Sequence, residues 1–455
     1  MKSKNFIIII IFTVFITLSC KKENIATGTN INISFSADTI ILDTLFTEIG
    51  SATYYFKVYN NSNKTVKFDE IFLGNKNKSA YRTRIDGQEG NQAFNVQIAA
   101  NDSMFIFLET TLQKNSQNEP SLIKDSIIFK SGEHTRDIDI LSWGQNVKMM
   151  KSQNISTQSL NNSTPYLICG NITVDTLQTL TIKEGTKLYF HKNSTLTIKG
   201  KLIVNGKTEK PVLFSSDRLE DFYNDIPGQW NGIYFPKGNL GAEITNATIE
   251  NSSVGLSFNQ PNIGSEIKIN NSIIRHCLKN GIEITTGNFS LNNLLITNCG
   301  QAALSISDGT NGTINHSTIA NYYDYGRNSR SLVISNDENT KENNITVTNS
   351  IIYGTFPNEI YIDNENSLSS INIDHCIVKT NLESIISPLS ITNSINKDPL
   401  FYDTKKQYFY LTKDSPARDF GKLNFGNLLP IDLRGKNRTA DNKPDVGAYE
   451  YFEIP

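Results

Sequence analysis

Hydrophobic and polar positions follow three patterns along this 455-residue chain. Phe6 to Leu18 is apolar apart from Thr13 and Thr17. From about Ile33 to Trp143, short segments alternate between apolar and polar residues, as in ATYYFKVYN, SMFIFLETTL, SLIKDSIIFKS and RDIDILSWG. A period of two puts every second side chain on one face, so these segments predict the half-buried strands of an antiparallel β-sandwich over residues 33–147. Beyond Thr164 the alternation is organised into a repeat.

Six segments of that repeat align: EITNATIENSSVGLSF, IKINNSIIRHCLKNGIEI, FSLNNLLITNCGQAALSI, GTINHSTIANYY, ITVTNSIIYGTFPNEIYI and INIDHCIVKT. One position is held in turn by Asn246, Asn271, Asn293, His316, Asn349 and His375. Each unit reads as strand, tight Asn turn, strand, longer turn, and a strand opening in Gly or Ala. Asn tolerates the left-handed backbone such a turn needs, and stacked Asn side chains can bond one another. No single unit buries its apolar face alone, so the units must stack as coils. The polar stretch 148–163 ahead of them reads as a linker.

In register, residues 164–397 closely resemble the β-helix proteins of the pectate-lyase-like superfamily. That resemblance implies an all-β fold, a right-handed parallel β-helix preceded by an antiparallel β-sandwich, and polysaccharide as the expected partner. The sandwich segment resembles bacterial immunoglobulin-like domains of the ASH type, with Tyr59-Asn60 ending one strand and Trp143-Gly144 ending another. Its simplest role is a spacer. Residues 398–455 carry DPLF, SPARDFG, DLRGKNR and DVGAYEY, and resemble the choice-of-anchor Q module that follows many bacterial β-helices. A C-terminal cap is expected there. Its Asp419, Asp432 and Asp445 read as carboxylates bonding turn amides rather than as metal ligands.

The apolar run at the N-terminus, about thirteen residues, is short of the roughly twenty that span a bilayer and fits a signal peptide over residues 1–19. Ser19-Cys20 follows it, which resembles a lipoprotein signal, although Thr17 stands where leucine is usual. The resemblance implies acylation of Cys20, a membrane partner through that lipid, and a tether over 20–32. Lys21, Lys22, Glu23 and Asn24 partly resemble the export signals of Bacteroidetes surface lipoproteins, which implies an outer-membrane lipoprotein displayed at the cell surface.

Composition narrows the function classes. A formal net charge of −2 supplies no basic field for nucleic acid. Cys169, Cys277, Cys299 and Cys376 match no zinc spacing, and Cys277 and Cys299 each fall six residues after a turn Asn, as small side chains stacked on adjacent coils would. No cofactor is expected; calcium would need an acidic cluster that the coils lack.

The candidate chemistry lies on one sheet and its flanking turns. In GIYF, GLSF, GIEI, ALSI, SLVIS and EIYI the outward residues are Tyr234, Ser257, Glu283, Ser305, Val333 and Tyr361, a row with one carboxylate. A glycosidase needs two, about 5–9.5 Å apart. If the chain is an enzyme, a polysaccharide lyase or glycoside hydrolase, its candidate residues are Arg275, His276, Lys279 and Glu283. For sugar binding, the aromatics and arginine of the long turns are the candidates: Trp230, Tyr322, Tyr323, Tyr325 and Arg327, with Asp324 beside them. The leading expectation is non-enzymatic binding of glycan or envelope components through the β-helix loops. A lyase or hydrolase of acidic glycan and a purely structural scaffold are the alternatives.

Overall fold

The computed structural model describes residues 24–116, 119–323, 325–336, 342–363, 369–381, 387–423, 429–441 and 443–453. The signal segment, Cys20 and Asp324 lie outside the described residues. Within them the chain is strand, apart from three short 3-10 turns and the loops. It forms two compact units that meet between Asn146 and Val147.

The first unit is built from two sheets. One runs in the order Ile33–Phe35, Tyr54–Asn60, Ser103–Thr110, Tyr81–Ile85 and Gln88–Gly90, all antiparallel. The other has Thr65–Leu73, Ser121–Ser131 and His134–Gln145 at its centre. Alternate residues of both, such as Phe56, Val58, Ile106 and Leu108 against Phe68, Ile71, Ile127 and Phe129, form one core. Burial of every second side chain is the cause of the period-two pattern.

The sheets of this unit are antiparallel as expected, apart from two edge pairings. Thr39–Phe46 pairs in parallel with His134–Gln145. The stretch read as a tether also contributes a strand: Ile25–Ala26 pairs in parallel with Thr65–Val66, and Gly28 N donates to Ser131 Oγ at 3.0 Å. Of the Thr65–Leu73 strand, Ser121–Ser131 pairs only with Glu70–Leu73, so the short strand takes up the Thr65–Val66 end of that edge.

The second unit is a parallel β-helix. Its 25 strands pair with strands two or three places along the chain, which is the signature of successive coils. The pairings form three faces. The first precedes the Asn turn and includes Ala242–Thr245, Glu266–Asn270 and the second half of Ile282–Asn292. The second follows the turn, through Ala247–Glu250, Ile273–Cys277, Leu295–Cys299, Thr318–Asn321 and Ile351–Gly354. The third carries Trp230–Phe235, Ser252–Asn259, the first half of Ile282–Asn292 and of Leu304–Asn315, Leu332–Ser335 and Ile360–Ile362.

Like residues stack on like. On the third face Ile233, Leu256, Ile282, Leu304, Leu332 and Ile360 register in one buried column. Beside it the Phe235 and Phe258 rings stack at 4.1 Å. Such columns bury apolar surface at about 25 cal/mol per Å² with little rotamer choice left open. Small residues open these strands for a steric reason: a Cβ on Gly281 would sit 2.6 Å from Ala303 O and 2.8 Å from Ile296 Cγ2.

The turn column has a left-handed backbone throughout, with φ of 50° at Asn246, 49° at Asn271, 56° at Asn293 and 47° at both His316 and Asn349. Histidine shares with asparagine an enrichment in this region, which explains their exchange along the column. Asn293 Nδ2 donates to Asn271 Oδ1 at 2.7 Å, and Asn349 Nδ2 donates to His316 Nε2 at 3.0 Å.

The expected linker is the start of the β-helix. Lys148–Ile155 pairs in parallel with Tyr166–Val174, and Gln158–Leu160 pairs with Thr179–Lys183. Met150, Ile155 and Leu160 turn into the core while the intervening lysines, glutamines and serines stay exposed. That one-sided burial makes the segment read as polar. The C-terminal residues likewise do not simply close the stack. They run along its second face, where Phe409, Ala448 and Tyr449 pack on Leu295 and Ala320, and Leu411, Ala417 and Val446 pack on Ile351 and Ile377.

Candidate functional site

The outward row of the third face stands as its repeats place it: Tyr234, Ser257, Glu283, Ser305, Val333 and Tyr361 are registered partners on consecutive strands. Glu283 is the one carboxylate in this row, and it is occupied. Ser257 Oγ donates to its Oε1 at 2.5 Å and Asn280 Nδ2 to its Oε2 at 2.9 Å. The negative charge beside Tyr234 adds to burial in pushing that phenol up.

The other three enzyme candidates point elsewhere. Arg275 lies on the second face, where its Nε and Nη2 bond Glu250 Oε2 at 2.9 and 2.7 Å. Lys279 is exposed. His276 occupies the corner between the second and third faces with φ of 52°, and it is buried rather than solvated. Its Nε2 meets Gln407 Oε1 from the C-terminal segment, with Asp225 Oδ1 at 3.6 Å. Burial, with the Arg275 charge beside it, holds its pKa below the ordinary histidine value. The hydrogen-bond partners of Glu283 and of His276 are different residues.

His276 belongs to a second turn column that the repeat alignment missed. Five residues after each turn position stand Asn251, His276, Asn298, Asn321 and Gly354, and the first three have φ of 61°, 52° and 52°. The constant offset from the first column was the available signal. Next to it, Cys277 pairs in register with Cys299, both buried and free.

The sugar-binding candidates divide into buried and exposed. Trp230 is 1% exposed, its ring stacks on Phe190 at 4.0 Å, and its Nε1 donates to Glu250 O at 2.8 Å. It is a core residue. Arg327 is buried too. Its Nη1 and Nη2 reach Glu359 Oε2 and Oε1 at 2.9 and 2.6 Å, and its guanidinium lies over Phe356 at 4.0 Å. Tyr322 packs against Phe401 and Phe409 of the C-terminal segment. Tyr323 and Tyr325 remain at the surface, with ring centroids 5.7 Å apart and Tyr325 82% exposed. The long turns therefore place two of the five candidates where a ligand could meet them.

Two of the three C-terminal aspartates, Asp432 and Asp445, accept from backbone amides, and Asp419 is exposed. Asp432 Oδ1 accepts from Arg434 N and Lys436 N, and its Oδ2 from Glu450 N. Asp445 accepts from Asp419 N at 2.7 Å and from Tyr451 N at 2.6 Å. Arg438 and Glu450 pair at 2.9 Å in the same buried knot. Among the described residues no three His, Cys, Asp or Glu side chains converge as a metal site.

No family model matches the chain, and no curated protein matches it. Among solved structures, it shows a likeness to a family 123 glycoside hydrolase from Clostridium perfringens, analysed for glycolipid glycan hydrolysis. Identity is 8%, the aligned part covers 27% of this chain and 30% of that one, and the TM-score is 0.19. The class rests on the fold itself: an all-β chain with a long parallel β-helix.

Proposed function

We propose that this chain is a non-catalytic, glycan-binding protein of the cell envelope, anchored by lipid on Cys20. The observation that carries the reading is the outward row of the third face, Tyr234 to Tyr361, whose one carboxylate, Glu283, is held by Ser257 and Asn280, where glycoside cleavage needs two. The candidates for acid–base work are separately engaged with Glu250 and Gln407. Resemblance to the pectate-lyase-like superfamily, to ASH-type domains and to the choice-of-anchor Q module supports an envelope role. The apolar N-terminal segment ending in Ser19-Cys20 supports export and anchoring in the outer membrane.

The test incubates the chain from residue 21 onward with immobilised neutral and acidic polysaccharides. Retention without new reducing ends or unsaturated, ultraviolet-absorbing product is the expected result. Turnover of any glycan would replace this reading with that of a lyase or hydrolase, and surface release by protease treatment of intact cells tests the display.

A further inference from the structure

The alternating strands of the first unit carry aromatic residues on the side that alternation assigns to solvent. In Tyr54–Asn60, Phe56 and Val58 enter the core while Tyr55 and Lys57 face out; in Ser103–Thr110, Ile106 and Leu108 enter it while Phe105, Phe107 and Glu109 face out. A sandwich serving only as a spacer gains nothing from exposing large rings there, since exposed apolar clusters favour association. Tyr55 is 59% exposed and Phe105 42%.

Strand register gathers these side chains. Tyr55 lies opposite Phe107, Phe107 opposite Arg84, and Arg84 opposite Glu89, so one row crosses four strands from aromatic to ionic. The rings of Phe105 and Phe107 are nearly parallel, at 21° and 6.2 Å, and Tyr55 stands 5.5 Å from Phe105. Beside them a depression of about 310 Å³ is lined by Phe107, Arg82, Arg84, Glu89, Glu109 and Thr53, among others. That volume is at the lower end of the roughly 300–1,000 Å³ of small-ligand sites.

The charges in the depression are unequally satisfied. Arg84 pairs with Glu89, and Glu109 accepts from Thr53 Oγ1 at 2.5 Å. Lys57 lies over the Phe105 ring at 4.7 Å. Arg82 is exposed, directly opposite Glu109 in register, and makes no ion pair among the described residues. A ligand suited to this surface offers an apolar face to the rings, hydroxyls to the carboxylates, and an anionic group to Arg82. A sugar ring bearing a carboxylate or sulfate has all three.

We infer that this outer sheet face, centred on Tyr55, Phe107 and Arg82, is the binding site for an anionic glycan. The inference deepens the reading of the chain as a glycan-binding protein, and it moves the site from the β-helix loops to the sandwich.

Binding of polygalacturonate, dextran sulfate and neutral dextran to the chain from residue 21 onward is the test, with Tyr55→Ala, Phe107→Ala, Arg82→Gln and, on the β-helix loop, Tyr325→Ala. Affinity for either anionic polymer should fall at least about tenfold in Tyr55→Ala and in Phe107→Ala, as loss of a central aromatic contact implies. Arg82→Gln should abolish the preference over dextran, and Tyr325→Ala should bind as the parent does. Anionic glycan bound equally by the sheet variants, or lost in Tyr325→Ala alone, overturns the site and leaves the glycan-binding reading standing. Binding of no glycan at all defeats both. A concentration-dependent dimer abolished by Tyr55→Ala would assign the face to a second copy instead. Circular dichroism of Tyr55→Ala, whose ring is exposed, checks that the fold is kept.

Discussion

Arg438 Nη2 donates to Asn293 Oδ1 at 2.6 Å, joining the C-terminal segment to the turn column of the β-helix. The same guanidinium holds Glu450 through Nη1 at 2.9 Å, and burial of the group pushes its pKa down. Farther along the column, Lys422 N donates to Asn349 Oδ1 and Gly447 N to Asn349 O. The polar side chains of Asn293 and Asn349 at the turn corners are thereby satisfied by the segment that covers them.

Removing Arg438 strips the buried acceptors on Glu450 and Asn293 of their donor, and any charge on Glu450 of its counter-ion. Arg438→Met should therefore lower the stability of the second unit by roughly 3–5 kcal/mol, measured as a shift in denaturant midpoint. Adding Glu450→Gln should recover part of the loss. If Arg438→Met unfolds at the parent midpoint, the C-terminal segment does not hold the coils as described.

The turn column makes a second, graded prediction. Asn271→Ala puts a Cβ without a polar side chain at φ of 49° and deletes the acceptor for Asn293 Nδ2, so about 2–3 kcal/mol should be lost. Asn271→Gly keeps the backbone relaxed and should lose about 1 kcal/mol. Equal midpoints for the two variants would show that left-handed strain plays no part.

The coils and their outward register were legible in the sequence because both depend on local periodicity, so Tyr234 to Tyr361 could be aligned without coordinates. The fates of Trp230, Arg327 and Tyr322 were not. Tyr322 and Arg327 lie in a turn whose composition resembles an exposed binding loop and Trp230 opens a strand just after one, and each is covered through partners distant in sequence: Phe190 for Trp230, Glu359 for Arg327, Phe401 and Phe409 for Tyr322. Consecutive apolar pairs at Leu295-Ile296 and Ile351-Ile352 did carry a signal of two-sided burial on the second face. Tyr55, Phe105 and Phe107 were equally readable as aromatic residues on the polar phase of their strands.

Thiol access gives a third prediction. Cys277, Cys299 and Cys376 are buried, while Cys169 is partly exposed and burial pushes its thiol up. In the chain from residue 21 onward, a maleimide at neutral pH should modify at most Cys169 under native conditions and all four thiols in denaturant. Rapid native labelling of Cys277 or Cys299 would mean that the second and third faces open locally at their corner.

The buried histidines predict a response to pH whose sign can be worked out. Burial, with Arg275 next in weight, lowers the pKa of His276. Burial, with Arg438 beside it, takes His316 well below the ordinary value. The unfolded chain holds these groups near about 6.5, so as pH falls through that value the unfolded state takes up protons first. The histidines' contribution is present above that pH and is lost below it. Glu450 acts in the opposite sense: burial, reinforced by Asp445 and offset by Arg438, raises it to about 8, so its contribution is lost as pH rises from the ordinary carboxylate range. Wild-type stability alone mixes the two, and substitution separates them. Asn is the residue that neighbouring coils use at both positions, so His276→Asn and His316→Asn keep the left-handed turns. Melting temperatures of the double variant and the parent should diverge as pH is lowered from 7 to 5, the parent losing more. Parallel curves over that interval would show that neither histidine is held neutral by the fold.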